Sequence, residues 1–221
     1  MSEFAKFFGL TFTALLPLVN PVGDALVFAG LVGPAPPEVY RTLARRIAIS
    51  TTVFLIVIEG IGTALLKFFG ISLPVMQVSG GLVIAAMGWN LLSETAPQET
   101  SHGAAADDAG LASLESKVFY PFTFPITAGP GCIVVMVTLS AHASVNGLVP
   151  DLSAHAGIAA AVVLLSVAVY LCYGYAPVIT ARVRPQTAHG ILRVIAFVLL
   201  AIGVQIAWNG AEVLLKSVFT P

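Results

Sequence analysis

Six long apolar runs leave this chain few ways to fold. They fall at roughly 5–31, 47–68, 72–93, 118–142, 155–180 and 191–216, and each is about the twenty residues that cross some 30 Å of hydrocarbon as an α-helix. Inside a bilayer each backbone N–H and C=O must find its partner within the protein, which restricts spanning segments of this length to helices. The expected fold class is therefore all-α, a polytopic membrane protein of six transmembrane helices. Composition agrees, with 57% hydrophobic residues, 10% charged and a mean hydropathy of +0.95, values of the membrane class. The first run is too long for a cleavable signal peptide, Glu3 dilutes its basic end, and no small-x-small site follows it, so it is expected to stay as helix one.

Two of these runs are interrupted where a span should be least polar. Pro17-Leu18-Val19-Asn20-Pro21-Val22-Gly23-Asp24 breaks the first, and Phe124-Pro125-Ile126-Thr127-Ala128-Gly129-Pro130-Gly131 breaks the fourth. Non-helical backbone at that depth survives only against protein or a water-lined cavity. Pro21 suits the first turn of a helix, where its missing N–H is no loss, and Asn20 is a favoured N-cap. A half-helix is expected to start there, and Gly129-Pro130-Gly131 offers the same arrangement in helix four.

Setting 5–93 beside 118–216 aligns Pro17 with Pro125, Asn20-Pro21 with Gly129-Pro130, and Gly88-Trp89-Asn90 with a region ending in Gln205. Two three-helix halves emerge, 1–93 and 118–221, joined by a mobile acidic linker at 94–117 that carries Glu94, Glu99, Asp107, Asp108 and Glu115. An odd number of spans per half turns the second upside down relative to the first, an inverted repeat. Paired Gly/Pro-interrupted segments in such halves point to a transporter's central site. Inversion brings two half-helix N-termini to the midplane, each with partial positive charge and free N–H groups, able to hold an anionic group without Lys or Arg.

Other residues bound the function. Glu59 falls within helix two, where an ionisable residue faces the bundle or a cavity; it is either a functional group or a neutral packing contact. Cys132 and Cys172 lie inside spans and share no metal spacing with His102, His142, His155 or His189, so both read as buried apolar thiols. Tyr170, Tyr173 and Tyr175 read as an interfacial aromatic belt. Gly33-Pro34-Ala35-Pro36-Pro37-Glu38 marks the first exit from the membrane. Lys6, Lys67 and Lys216 fall on one side and seven cations, among them Arg41, Arg45 and Arg46, on the other; the positive-inside rule then places both termini outside. No basic run suggests nucleic acid, no nucleotide motif suggests ATP-driven transport, no Ser/His pair or His-Glu-x-x-His suggests an enzyme, and no cofactor is expected.

Leu18-Val19-Asn20-Pro21-Val22-Gly23, taken with Pro125-Ile126-Thr127-Ala128-Gly129-Pro130-Gly131 about a hundred residues later, resembles the MarC family of six-span bacterial and archaeal membrane proteins. The likeness covers nearly the whole chain. It implies a protein of the cytoplasmic (inner) membrane within the wider LysE-type transporter group, some of whose members are linked to uptake of glycine and alanine. Where the family commonly follows Asn-Pro-x-Gly with an uncharged polar residue, often Asn, this chain has Asp24. A carboxylate there can pair with an ammonium group, coordinate a cation or carry a proton.

The leading expectation is a secondary transporter of small neutral amino acids or similar zwitterions, with Asn20, Pro21, Gly23, Asp24, Thr127, Gly129 and Gly131 binding substrate. Coupling to H⁺ or Na⁺ would use Asp24 or Glu59. The alternative is a cation or metal-ion transporter with Asn20, Asp24 and Glu59 as oxygen ligands.

Overall fold

The computed structural model describes residues 2–93, 111–143, 148–182 and 185–219, and these are helical throughout apart from short connections. The order is α1 (Glu3–Val19), α2 (Pro21–Val32), α3 (Pro37–Phe68), α4 (Leu73–Ser93), α5 (Leu111–Ser116), a wide helical segment (Val118–Thr127), α6 (Pro130–Ala143), α7 (Leu148–Gly174), α8 (Ala176–Arg182) and α9 (Pro185–Phe219). Five helices, counting α1 with α2 as one, are long and apolar enough to cross a membrane; the wide segment with α6 makes a sixth. Most of the expected linker, including His102, lies outside the described residues. Its end is α5, where Glu115 pairs with Arg46 at 2.9 Å.

Helix two is longer than its apolar run. Pro36 is its N-cap and Pro37 its first residue, so the first loop closes earlier than its prolines suggested, because proline at the first helical position loses no hydrogen bond. The basic residues Arg41, Arg45 and Arg46 thus ride on the same helix as the span. Helix five ends at Gly174, and α8 restarts at Ala176 ahead of Pro177.

The closest helix pair is α4 with α9. A Cβ on Gly81 would stand 2.4 Å from the Ala207 nitrogen, and one on Gly203 2.3 Å from the Ala85 nitrogen. Backbones this close leave no room for a side chain, the small-residue packing that membrane helices use in place of a hydrophobic drive. The contacts run in opposite chain directions, Gly88 meeting Leu200 and Gly210 meeting Pro74, so the pair is antiparallel. By contrast Gly157 of α7 lies against Phe4, and Tyr173 of the same helix stacks on Phe28, so the first span runs parallel to α7.

The core gathers around Phe28, which no solvent reaches. Its ring stacks on Tyr173 at 4.7 Å and meets Phe122 at 5.3 Å and Tyr40 at 5.8 Å edge-on, geometries that favour aromatic pairs beyond their buried area. Tyr40 also donates to the Gly33 carbonyl at 2.7 Å, tying the first loop back to α3. Outside, Ile49, Val53, Val57 and Ile61 present an exposed stripe at every fourth residue of α3, the surface a lipid-facing helix shows.

Candidate functional site

The first break is a change of helix with little change of course. Asn20 adopts the left-handed conformation (φ 38°, ψ 60°), ending α1 and capping α2 at once. Asparagine tolerates this region better than other non-glycine residues because its short amide bonds locally. Its backbone N–H donates to Leu16 O at 2.9 Å, and its Oδ1 accepts from the Gly23 N–H at 3.2 Å. Gly23 is what makes this cap possible. A Cβ there would stand 2.0 Å from Asn20 Nδ2. Pro21 takes the first helical position, as its chemistry dictates.

The second break is a different construction. Tyr120-Pro121-Phe122-Thr123 and Phe124-Pro125-Ile126-Thr127 are two tandem units of aromatic, proline, apolar and threonine. Tyr120 and Phe124 are extended (φ −121°, ψ 122°; φ −122°, ψ 127°), as residues before proline prefer. The winding widens in consequence: Ala128 N–H reaches the Thr123 carbonyl at 2.8 Å. Each threonine hydroxyl takes a carbonyl five residues back, Thr123 that of Val118 at 2.8 Å and Thr127 that of Phe122 at 2.7 Å. The two hydroxyls thereby give the Val118 and Phe122 carbonyls a partner inside the widened winding. At Gly129 the chain turns, and α6 departs at 71° from the wide segment.

The two breaks touch. A Cβ on Gly131 would lie 2.8 Å from Leu18 Cδ2 and 3.0 Å from Ile84 Cγ1, so glycine lets the first turn of α6 seat against the end of α1 without displacing these side chains. Asp24, half-buried in the first turn of α2, lies within electrostatic reach of Cys132 in the first turn of α6 and of Tyr173 in α7. Among the described residues its carboxylate has no hydrogen-bond or ion-pair partner. Thr127 Oγ1 and Tyr173 OH are 2.8 Å apart, both buried. Because the single Thr127 hydroxyl proton is given to Phe122 O, Tyr173 must be the donor in that pair.

The two half-helix N-termini are not equivalent. In α2 the Gly23 amide is already engaged by Asn20 Oδ1, and Asp24 adds a carboxylate to the same turn. In α6 Pro130 has no N–H, Cys132 N–H bonds Gly129 O at 3.0 Å, and among the described residues no side chain caps the Gly131 amide. The macrodipole at α6 is the less compensated of the two.

Of the expected site residues, Asn20, Pro21, Gly23, Asp24, Thr127, Gly129 and Gly131 all fall at or between the breaks. Glu59 does not join them. Its carboxylate hydrogen-bonds His155 Nδ1 of α7, and its carbonyl accepts from Ser140 Oγ at 2.7 Å. Ser140 is nine residues beyond Gly131 on α6, about 13 Å along the axis. The oxygen set Asn20, Asp24 and Glu59 is therefore not gathered at one point, and among the described residues no three His, Cys, Asp or Glu side chains group as a metal site. Tyr173, expected in an interfacial belt, is instead a buried member of the site's wall; Tyr170 and Tyr175 are exposed as that belt requires. Cys132 is a buried free thiol and Cys172 a half-buried one.

Comparison with known proteins agrees with this architecture. The profile described as MarC family integral membrane protein matches residues 5–215. The chain is 28% identical over 224 residues to the UPF0056 inner membrane protein MarC of Salmonella typhimurium, covering 98% of this chain and 99% of the relative. The MarC protein of Citrobacter koseri is 27% identical over the same span, and a UPF0056 membrane protein of Pyrococcus horikoshii is 28% identical over 62% of this chain and 65% of the relative. No solved structure matches. The chain belongs to the MarC family of multi-pass integral membrane proteins, whose relatives here carry the name of inner membrane proteins.

Proposed function

We propose that this protein is a secondary transporter of small neutral amino acids or similar small zwitterions. The observation that carries the reading is the meeting of two broken spans with opposite electrostatic character. Asp24, a carboxylate without a partner among the described residues, lies within electrostatic reach of Cys132 in the first turn of α6, where no side chain among those residues caps the Gly131 amide. A zwitterion is the small molecule that complements both: its ammonium pairs with Asp24, and its carboxylate takes the Gly131 amide and the positive end of the α6 dipole. Half-helix ends at mid-membrane are a recurrent way to bind such groups. The parallel course of the first span and α7, with the antiparallel course of α4 and α9, is the course that alternating spans give and that an inverted repeat of two three-span halves requires.

Coupling to H⁺ or Na⁺ falls to Asp24 on this reading, because Glu59 is engaged by His155 at a different level. The cation reading keeps one support, the same unpartnered carboxylate, but loses Glu59 as a third ligand. Both termini lie outside in the orientation we favour. Uptake of labelled glycine and alanine into proteoliposomes tests the proposal, with Asp24→Asn measured beside the unaltered protein. Saturable uptake that Asp24→Asn weakens is expected; amino-acid flux indifferent to Asp24, or absent while Na⁺ or Mn²⁺ flux is present, overturns it.

A further inference from the structure

A second feature lies on the outside of the bundle, away from the breaks. Between α3 and the start of the wide segment lies a groove of about 530 Å³. It is lined by the exposed stripe Ile49, Val53 and Val57 of α3, and an edge-on pair of Phe54 from α3 and Phe119 from the wide segment, 5.9 Å apart, joins its two sides. Arg46 and Glu115 close its membrane-surface end with their ion pair. Arg45 and Lys117 are the chain neighbours of groove residues on the two walls.

The dimensions match one leaflet. From Arg46 to Val57 is eleven residues of continuous helix, about 16 Å, against roughly 15 Å for half of a bilayer's hydrocarbon core. The polarity runs the same way, a guanidinium at the interface, then Ser50 one turn below it, and only apolar side chains from Val53 inward. Arg46 is about half exposed, so a single carboxylate leaves guanidinium donors open toward the headgroup region, and the planar fork of arginine suits phosphate oxygens.

We infer that this groove is a binding site for one anionic phospholipid, its phosphate on Arg46 and one acyl chain laid along Ile49, Val53, Val57 and Phe119. Glu115 is then a competitor for Arg46 that limits how tightly the lipid is held. Basic residues at the membrane surface attract anionic headgroups by about a fivefold factor each, and the groove adds a fixed seat for the chain.

The site predicts opposite effects from its two charged residues. The full-length protein, reconstituted with equimolar phosphatidylglycerol and phosphatidylcholine and then transferred to detergent, is examined by native mass spectrometry for retained lipid. The unaltered protein should keep phosphatidylglycerol preferentially. Arg46→Ala should lower that retention about fivefold, Glu115→Gln should raise it, and Val53→Trp, which fills the groove at a lipid-facing position, should remove it. Equal retention of both lipids, or retention unchanged by Val53→Trp, means annular lipid only and overturns the site. Since Glu115→Gln and Val53→Trp act without Arg46→Ala, poor folding of that one variant leaves the outcome decidable.

Discussion

The two broken spans solve one problem by different means. At Asn20 the chain satisfies itself: one amide side chain caps the new helix, one glycine makes room for it, and the span continues on nearly the same line. At Gly129 it does not. Two prolines remove donors, two threonine hydroxyls serve the Val118 and Phe122 carbonyls, and the chain bends by 71° into a helix whose Gly131 amide has no side-chain cap among the described residues. A self-satisfied break leaves its acid, Asp24, without a hydrogen-bond or ion-pair partner among the described residues, and the proposed function assigns it to substrate. An unsatisfied one offers its own backbone. The pair thus combines a carboxylate at one break with a less compensated helix N-terminus at the other, where two copies of either break would carry only one sign.

Removing the contact between the breaks should have the largest effect. Gly131→Leu drives a side chain into Leu18 and Ile84, an overpacking worth about 1–3 kcal/mol, and should abolish uptake even where the protein still inserts, as checked by detergent-extracted yield and proteoliposome flux. Neutralising the negative face comes next. On the proposed reading Asp24→Asn takes away the partner of the substrate ammonium, about 3 kcal/mol or roughly a hundredfold in substrate affinity, read as a rise in the uptake half-saturation constant with little change in melting temperature.

The support of the second break can be separated from its chemistry. Thr127→Val strands both the Phe122 carbonyl and the Tyr173 hydroxyl and should cost about 2–3 kcal/mol, whereas Tyr173→Phe leaves Thr127 its bond to Phe122 and should cost about 1 kcal/mol. Thermal unfolding in detergent ranks the two; a larger loss for Tyr173→Phe would mean that the hydroxyl of Tyr173 has a further partner. The first break is expected to be the more forgiving. Asn20→Gly keeps the left-handed geometry and should lose a few tenths of a kcal/mol, and Asn20→Ala about 1 kcal/mol for the cap and a further 1 or so for the backbone. Equal melting temperatures for the two would show that the cap, and not the dihedral, carries the effect.

What the sequence disclosed follows from how local each device is. Asn20-Pro21 and Pro130 announce helix starts because capping is settled within four residues, and the spans announce themselves by length. The wide winding from Val118 was hidden behind prolines that read simply as a break, although the tandem aromatic-proline-apolar-threonine units were there to see. The environment of Tyr173, and the pairing of His155 with Glu59, escape the sequence for a plainer reason. Their partners, Thr127 and Glu59, are 46 and 96 residues away, and nothing local distinguishes a buried tyrosine near a span end from an interfacial one. Glu59 was singled out for its charge, but only its partner tells that it stands apart from Asp24.

The backbone contact of α4 with α9 bears on how such a molecule can work. With Gly81 against Ala207 and Gly203 against Ala85, a slip of one residue along either axis would press a methyl group into a neighbouring main chain. The pair is a keel: it resists sliding. Any rearrangement that exposes the space between the breaks first to one face of the membrane and then to the other has to be made by the remaining helices pivoting against it.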